Sequence, residues 1–204
     1  MNPRVYREFE RVCTERHAGG AVLEIGAVPS NQSLLCMKSL KNAREKVGVN
    51  LNGPHDYDDF TILKCNANSM DCFEDGRFDT VLCNATLEHD KQFWLTLSEI
   101  RRVTKPGGLV VIGTPGYVTY RIEKAYRSIA QRIPFVPARL RRLPTITTAV
   151  HNYPGDFYRF SPHAHREVFF RGMKDTRIRT IMVPPKIIGS ALAPDLCQVG
   201  GRQG

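Results

Sequence analysis

The chain has 204 residues, enough for one domain built on a single buried sheet, and no apolar run near the ~20 residues that cross a bilayer. Its first residues, MNPRVYREFERV, carry charges where a secretory signal needs an apolar core, so a soluble, cytoplasmic protein is expected. The net charge of +9 favours an anionic partner without choosing among nucleic acid, acidic glycan and lipid head groups. The six cysteines, at 13, 36, 65, 72, 83 and 197, form no C-x-x-C pair and have no histidine at a ligand spacing. Neither a metal site nor a disulfide framework is indicated, and core thiols in a reducing compartment are the expectation.

In chain order, Val5, Phe9 and Val12 recur at helical spacing and predict an amphipathic helix covering one edge of the sheet. Ala21 to Ile25 is a first strand. Glu24-Ile25-Gly26 falls at its carboxyl end, where doubly wound sheets bind ligands. The turn that follows reads Ala27-Val28-Pro29-Ser30. A dinucleotide site needs glycines and free amides there so that pyrophosphate can approach, and Pro29 has no amide, which argues against a nucleotide-dependent oxidoreductase. A helix is expected over Asn31 to Lys46 with Leu34, Leu35 and Leu40 inward, then a strand over Lys46 to Leu51 ending near Asn50. A third strand, Phe60 to Cys65, runs into Asn66-Ala67-Asn68.

The most informative stretch is FDTVLCNATLEHDKQFWLTLSEIRRVTKPGGLVVIGTPG, residues 78–116. Phe78 to Cys83, closed by Asn84, and Leu109 to Ile112 are apolar runs suited to buried parallel strands. Between them Phe93, Leu97 and Ile100 mark a helix, with Asp90 as its expected cap and Glu99 placed to pair with Arg102. Lys105-Pro106-Gly107-Gly108 stops the helix and reverses the chain. A βαβ unit follows.

The tract FDTVLCNATLEH, the helix ending EIRRVTKPGG and the strand ending GTP resemble the fourth strand, following helix and fifth strand of the class I S-adenosylmethionine (SAM)-dependent methyltransferases, small-molecule branch. With the turn after Val22, the resemblance covers roughly residues 20 to 116. It implies an α/β, Rossmann-like, doubly wound seven-stranded sheet, mostly parallel with an antiparallel last strand and helices on both faces. It also implies methyl transfer from SAM to a small-molecule or glycan-type acceptor. Carried over residue by residue, the cofactor would lie against Glu24, Gly26, Ala27, Asn50, Leu51, Asn66, Ala67 and Asn84. Glu24 would face the amino group of the methionine part, Asn50 the ribose hydroxyls and Asn66 the adenine amino group. The family's usual motif departs here at Val28, Ser30, Asn50 and Asn66. An aspartate at 50 would accept from both hydroxyls, so Asn50→Asp is expected to tighten binding. A scaffold or regulatory protein without catalytic activity is the alternative reading.

Beyond residue 116 the chain turns basic: residues 117–150 carry Arg121, Lys124, Arg127, Arg132, Arg139, Arg141 and Arg142 against Glu123 alone. With Ile122, Tyr126, Ile129 and Ile133 at helical spacing, this reads as a lid inserted after the fifth strand, its basic face solvated or turned to an anionic acceptor. Peripheral membrane contact is the less favoured use of that face, and nucleic acid is not the expected partner. His151-Asn152-Tyr153-Pro154-Gly155-Asp156-Phe157-Tyr158-Arg159-Phe160 mixes aromatics with polar groups, so it is suited to line a pocket. Asp156 and Arg159 could equally pair with each other in a structural crossing. If the acceptor must lose a proton, His89 is the first candidate base, and His151 and Asp156 are the second. Ser161-Pro162 starts a helix to Arg171, Arg177 to Val183 is a sixth strand, Ile187 to Ala193 an antiparallel seventh, and a tail begins at about Pro194. The sequence specifies no oligomeric state.

Overall fold

A computed structural model describes residues 1–117, 155–181 and 185–195. The basic lid past Tyr117, His151, Tyr153, the expected strand end at 182–183 and the tail from residue 196 lie outside the described residues.

Helix α1, Pro3–Glu15, opens where the Asn2 side chain accepts from the Arg4 amide at 2.9 Å and Pro3 takes the first helical position. Its buried stripe of Val5, Phe9, Val12 and Cys13 lies on one face of the sheet, over the last strands, rather than along an edge as expected. Gly113 permits this, since a Cβ there would come within 2.8 Å of the Phe9 ring.

The strands are β1 Ala21–Ile25, β2 Glu45–Asn50, β3 His55–Tyr57, β4 Phe60–Lys64, β5 Phe78–Asn84, β6 Thr104–Pro115, β7 Lys174–Ile181 and β8 Lys186–Leu192. They form one sheet in the order β3-β4-β2-β1-β5-β6-β8-β7. β1, β2, β4, β5 and β6 are parallel to one another, and β8 runs antiparallel between β6 and β7. The expected doubly wound sheet with its antiparallel last strand is present. Among the described residues it has eight strands rather than seven, because the link after β2 doubles back, pairing Tyr57 with Phe60 and His55 with Ile62 antiparallel to β4.

Side chains alternate across this sheet into two cores. Leu23, Ile25, Val81, Cys83, Val110 and Ile112 face helix α2, Phe93–Val103, together with Phe160, Phe169 and Phe170. Val22, Leu82, Val111 and Ile188 face α1 and the segment after β1. That segment is not the helix expected over 31–46. It forms two single 3-10 turns, Leu34–Cys36 and Lys38–Leu40, which still bury Leu34, Leu35 and Leu40. The reason is local: Glu24 accepts from the amides of Leu34 and Leu35, and Glu10 from those of Lys38 and Ser39. Side-chain carboxylates thus take the donors that a helix would have given to carbonyls four residues back.

Helix α2 starts at Phe93, and Gln92 rather than Asp90 is its cap residue. Asp90 instead accepts from the Gln92 amide and the Thr96 hydroxyl, bracing the approach to the helix. The expected Glu99–Arg102 pair forms at 2.8 Å, and Arg102 extends it to the carbonyls of Met70 and Phe73. After Gly107, at φ +72°, β6 runs on through the centre of the sheet. Ser161 accepts from the Ala164 amide and Pro162 follows it, starting α3, Pro162–Ala164, which widens into a π-turn over His165–Phe169. Gly172, at φ +75°, ends it.

His165 in that π-turn is fully buried against Phe169 and Phe170, with Nε2 2.8 Å from the Thr114 hydroxyl and no hydrogen-bond partner at Nδ1. Burial lowers its pKa to about 3, so the folded protein holds it neutral. Below its ordinary value of 6.5 the unfolded chain takes up a proton that the folded chain refuses, and stability falls with pH down to about 3. Replacing His165 with Asn should therefore remove about 1.4 kcal/mol per pH unit of the acid-side loss. Urea unfolding of both proteins at pH 7.5, 6.0 and 5.0 measures it, and parallel lines would contradict the assignment.

Candidate active site

The loops after β1, β2, β4 and β5 leave the same edge of the sheet, as parallel strands require, and hydrogen bonds join them into one rim. Gly26 and Ala27 donate to the Val49 carbonyl at 2.9 and 3.2 Å. The Asn50 amide group donates to the Ala27 carbonyl at 2.8 Å, and Cys65 N donates to the Asn50 carbonyl at 3.0 Å. The Asn68 side chain donates to Asp90, to the Thr96 hydroxyl and to the Gln92 carbonyl, tying the β4 loop to the approach to α2. The Thr86 hydroxyl donates to the Ile25 carbonyl at 3.3 Å and closes the circuit from β5 to β1.

Gly26 is the narrowest point of that circuit. Its φ of +77° is a left-handed conformation, and a Cβ there would lie 2.3 Å from the Thr86 hydroxyl. Only glycine therefore lets the loop after β5 close against the end of β1. Val28 and Leu51 are exposed apolar residues beside it, 43% and 63% accessible, where large apolar side chains are usually covered. Asn50, Asn66, Ala67 and Asn84 stand at the ends of β2, β4 and β5 on the same rim, none of them buried.

Glu24 does not face this rim. Its carboxylate is buried and accepts from the Ser33 hydroxyl and from the amides of Leu34 and Leu35, at 3.2 and 3.4 Å. Burial raises its pKa to about 6, against the pull of those three donors. Its place on β1 turns it inward with Val22, so the expected contact with a cationic amino group gives way to holding the 33–35 turn. The Asn50 and Asn66 oxygens each accept from the amide two residues on, Asn52 and Asn68, at 2.9 and 3.0 Å, and each keeps a second lone pair for a ligand hydroxyl or amino group.

The late segment joins the same edge over β5 and β6. Phe157 N donates to the Glu88 carbonyl at 2.8 Å, the Gly155 carbonyl meets His89 Nδ1, and Phe160 N donates to the Pro115 carbonyl at 3.0 Å. The carbonyl fixes Nδ1 of His89 as the protonated nitrogen, which makes Nε2 the basic atom of the neutral ring. Phe93 stacks edge-on with Tyr158 and Phe160 at 5.0 and 5.1 Å, clamping the segment onto α2. Asp156, a candidate base, is paired through both oxygens with the Arg159 guanidinium, the Asp156 side chain buried and that of Arg159 mostly covered. The structural-crossing alternative is realised for that pair. His151 lies outside the described residues.

Sequence reasoning missed Glu88. Both its carboxylate oxygens are buried without a hydrogen-bond partner among the described residues, and Lys186 Nζ lies 3.9 Å away. Burial raises its pKa and lowers that of Lys186. Its neighbours in NATLEHD give no periodic signal. Only the antiparallel return of β8 brings Lys186 to it. Thr86, Asn68 and Ser33 were missed for the same reason, since each acts on a residue far along the chain.

Residues 32–112 match a family model described as a methyltransferase domain. Over 56 residues the chain is 43% identical to malonyl-[acyl-carrier protein] O-methyltransferase of Buchnera aphidicola subsp. Baizongia pistaciae. The match covers 27% of this chain and 23% of that protein, so the chain spans about a quarter of the length of the curated relative it matches. Among solved structures it resembles Burkholderia thailandensis 1,6-didemethyltoxoflavin-N1-methyltransferase with bound 1,6-didemethyltoxoflavin and S-adenosylhomocysteine. The TM-score is 0.62 at 14% identity, over 95% of this chain and 80% of that one. It also resembles a putative methyltransferase in complex with the Trm112 methyltransferase activator from Haloferax volcanii, with TM-score 0.59 at 17% identity over 94% and 91%. At these identities the structural likeness concerns the fold.

The Asn50–Ala27 bond gives Asn50→Asp a cost in stability that the expectation of an unperturbed fold with tighter binding did not include. A carboxylate would face the Ala27 carbonyl without a proton to offer, losing the bond and adding repulsion. The substitution should lower stability by about 1–3 kcal/mol, the cost of an unsatisfied polar group. A lowered urea midpoint would bear this out, and an unchanged one would contradict it.

Proposed function

We propose that this chain is a class I SAM-dependent methyltransferase that binds SAM along the rim from Gly26 to Asn84 and transfers its methyl group to a small or glycan-type acceptor. The observation that carries the reading is the left-handed turn at Gly26, packed against Thr86 and held in one rim with Ala27, Asn50 and Asn66 at the ends of the parallel strands. The cradle fits a ligand with ribose and adenine but no phosphate: it offers amide oxygens and apolar Leu51, and Pro29 removes an amide that pyrophosphate would need. SAM supplies an electrophilic methyl group, so the protein's work is to align the acceptor and exclude water.

In this reading the backbone at Gly26 meets the methionine part while Ala27, its side chain buried in the core, anchors the turn, Asn50 accepts from a ribose hydroxyl, and Leu51, Asn66 and Ala67 hold the adenine. Asn84 borders the methyl group. His89, its ring oriented by Gly155, takes a proton at Nε2 where the acceptor must lose one. Asp156 and Arg159 shape the acceptor wall together with Phe157 and Tyr158, and the basic lid draws in an anionic acceptor. His151 stands as a second base.

Calorimetry with S-adenosylhomocysteine tests this directly. One site is expected, and Gly26→Ala should abolish it by placing a methyl group against Thr86, while Asp175→Asn, on the far strand β7, leaves it intact. Absence of binding by the unmodified protein at millimolar ligand would overturn the enzyme reading in favour of a scaffold.

A further inference from the structure

Cys65 and Cys72 are seven residues apart, at the two ends of the loop that carries Asn66 and Ala67, and their Sγ atoms lie 3.2 Å apart. A disulfide needs ~2.05 Å, so the pair is about 1 Å from bonding distance. Both ends of the loop are anchored: Cys65 N on the Asn50 carbonyl, Met70 N on Glu99 at 2.6 Å, and the Met70 and Phe73 carbonyls on Arg102. The thiols therefore meet because the fold holds them there. Cys72 is exposed and borders an open groove of about 580 Å³ that runs along β2 and β4 and is also lined by Val47, Leu63, Phe73 and Arg77. That volume is in the range of small-molecule sites, so a low-molecular-weight disulfide can reach Cys72.

We propose that Cys65 and Cys72 are a reversible oxidation site, closing to an intramolecular disulfide by exchange with a small disulfide of the glutathione type. The Cys72 thiolate attacks one sulfur of the oxidant and expels one thiolate, leaving a mixed disulfide on Cys72. Cys65 then loses its proton and attacks the Cys72 sulfur, expelling the second thiolate. Two protein thiols are oxidised and one disulfide is reduced to two thiols. The order follows exposure, and it agrees with the Cys65 thiol, which burial and the neighbouring Cys72 push up to about 12, making Cys65 the slower, second nucleophile. Closure stiffens the loop from Asn66 to Asp71. The effect on SAM rests on the function proposed above, whereas the disulfide itself does not.

The test is incubation of the whole protein with oxidised glutathione, followed by alkylation and peptide mass analysis. The expected product is a single 65–72 link that dithiothreitol reverses. Cys65→Ser should stop at a glutathione adduct on Cys72, and Cys72→Ser should form no link. Hydrogen exchange of the 66–71 amides should slow on the order of tenfold in the oxidised protein, as loop closure restricts local opening. Failure to form the link, or exchange unchanged by it, would overturn the proposal, whatever S-adenosylhomocysteine binding shows.

Discussion

The buried carboxylate of Glu24 fixes the arrangement of the first third of the chain. It sits on the central strand of the sheet, and a buried carboxylate is tolerated only where donors surround it. The Ser33 hydroxyl and two backbone amides supply them, so the chain after β1 must fold back within one hydrogen bond of the strand. Leu34, Leu35 and Leu40 then cover the sheet without a full helix, and α1 closes over them through Glu10. Because the turn is tied down beneath the sheet edge, Val28 and Pro29 are left as the exposed lip above it, while the Ala27 side chain is buried in the core.

That lip becomes a site through bonds that cross from strand to strand. Thr86 reaches β1, Asn50 reaches Ala27 and Asn68 reaches Asp90, so the ends of four parallel strands are held as one rigid edge. A rigid edge suits the proposed methyl transfer, in which alignment carries most of the catalytic burden. On the side toward β8 the edge meets Glu88, Lys186, Asp156 and Arg159, two acids and two bases drawn out of water together. Bidentate pairing satisfies Asp156. Glu88, 3.9 Å from its cation, keeps a raised affinity for a proton.

The strands and the βαβ unit were legible because burial on both faces leaves continuous apolar runs such as Val81-Leu82-Cys83 and Val110-Val111-Ile112, and because Lys105-Pro106-Gly107-Gly108 punctuates them. The helix expected over 31–46 was not, since its apolar spacing serves two 3-10 turns equally well, and the deciding partners, Glu24 and Glu10, lie upstream. The extra strand β3 was equally hidden. Three polar residues gain strand geometry only by pairing with β4.

By itself the sequence determined the sheet class, the parallel strands β1, β2, β4, β5 and β6, and which residues follow them, because each depends on local hydrophobic pattern and turn chemistry. It also marked Gly26, Asn50, Asn66 and Asn84 at or just past strand ends, and His89 in the turn that follows β5. Only the tertiary structure decided what those groups do: that Glu24 points inward, that Asn50 is matched to a carbonyl, that Asp156 is consumed by Arg159, and that Glu88 lies buried beside Lys186. A side chain's chemistry is set by the donors and acceptors within a few ångströms of it, and here those partners come from other parts of the chain.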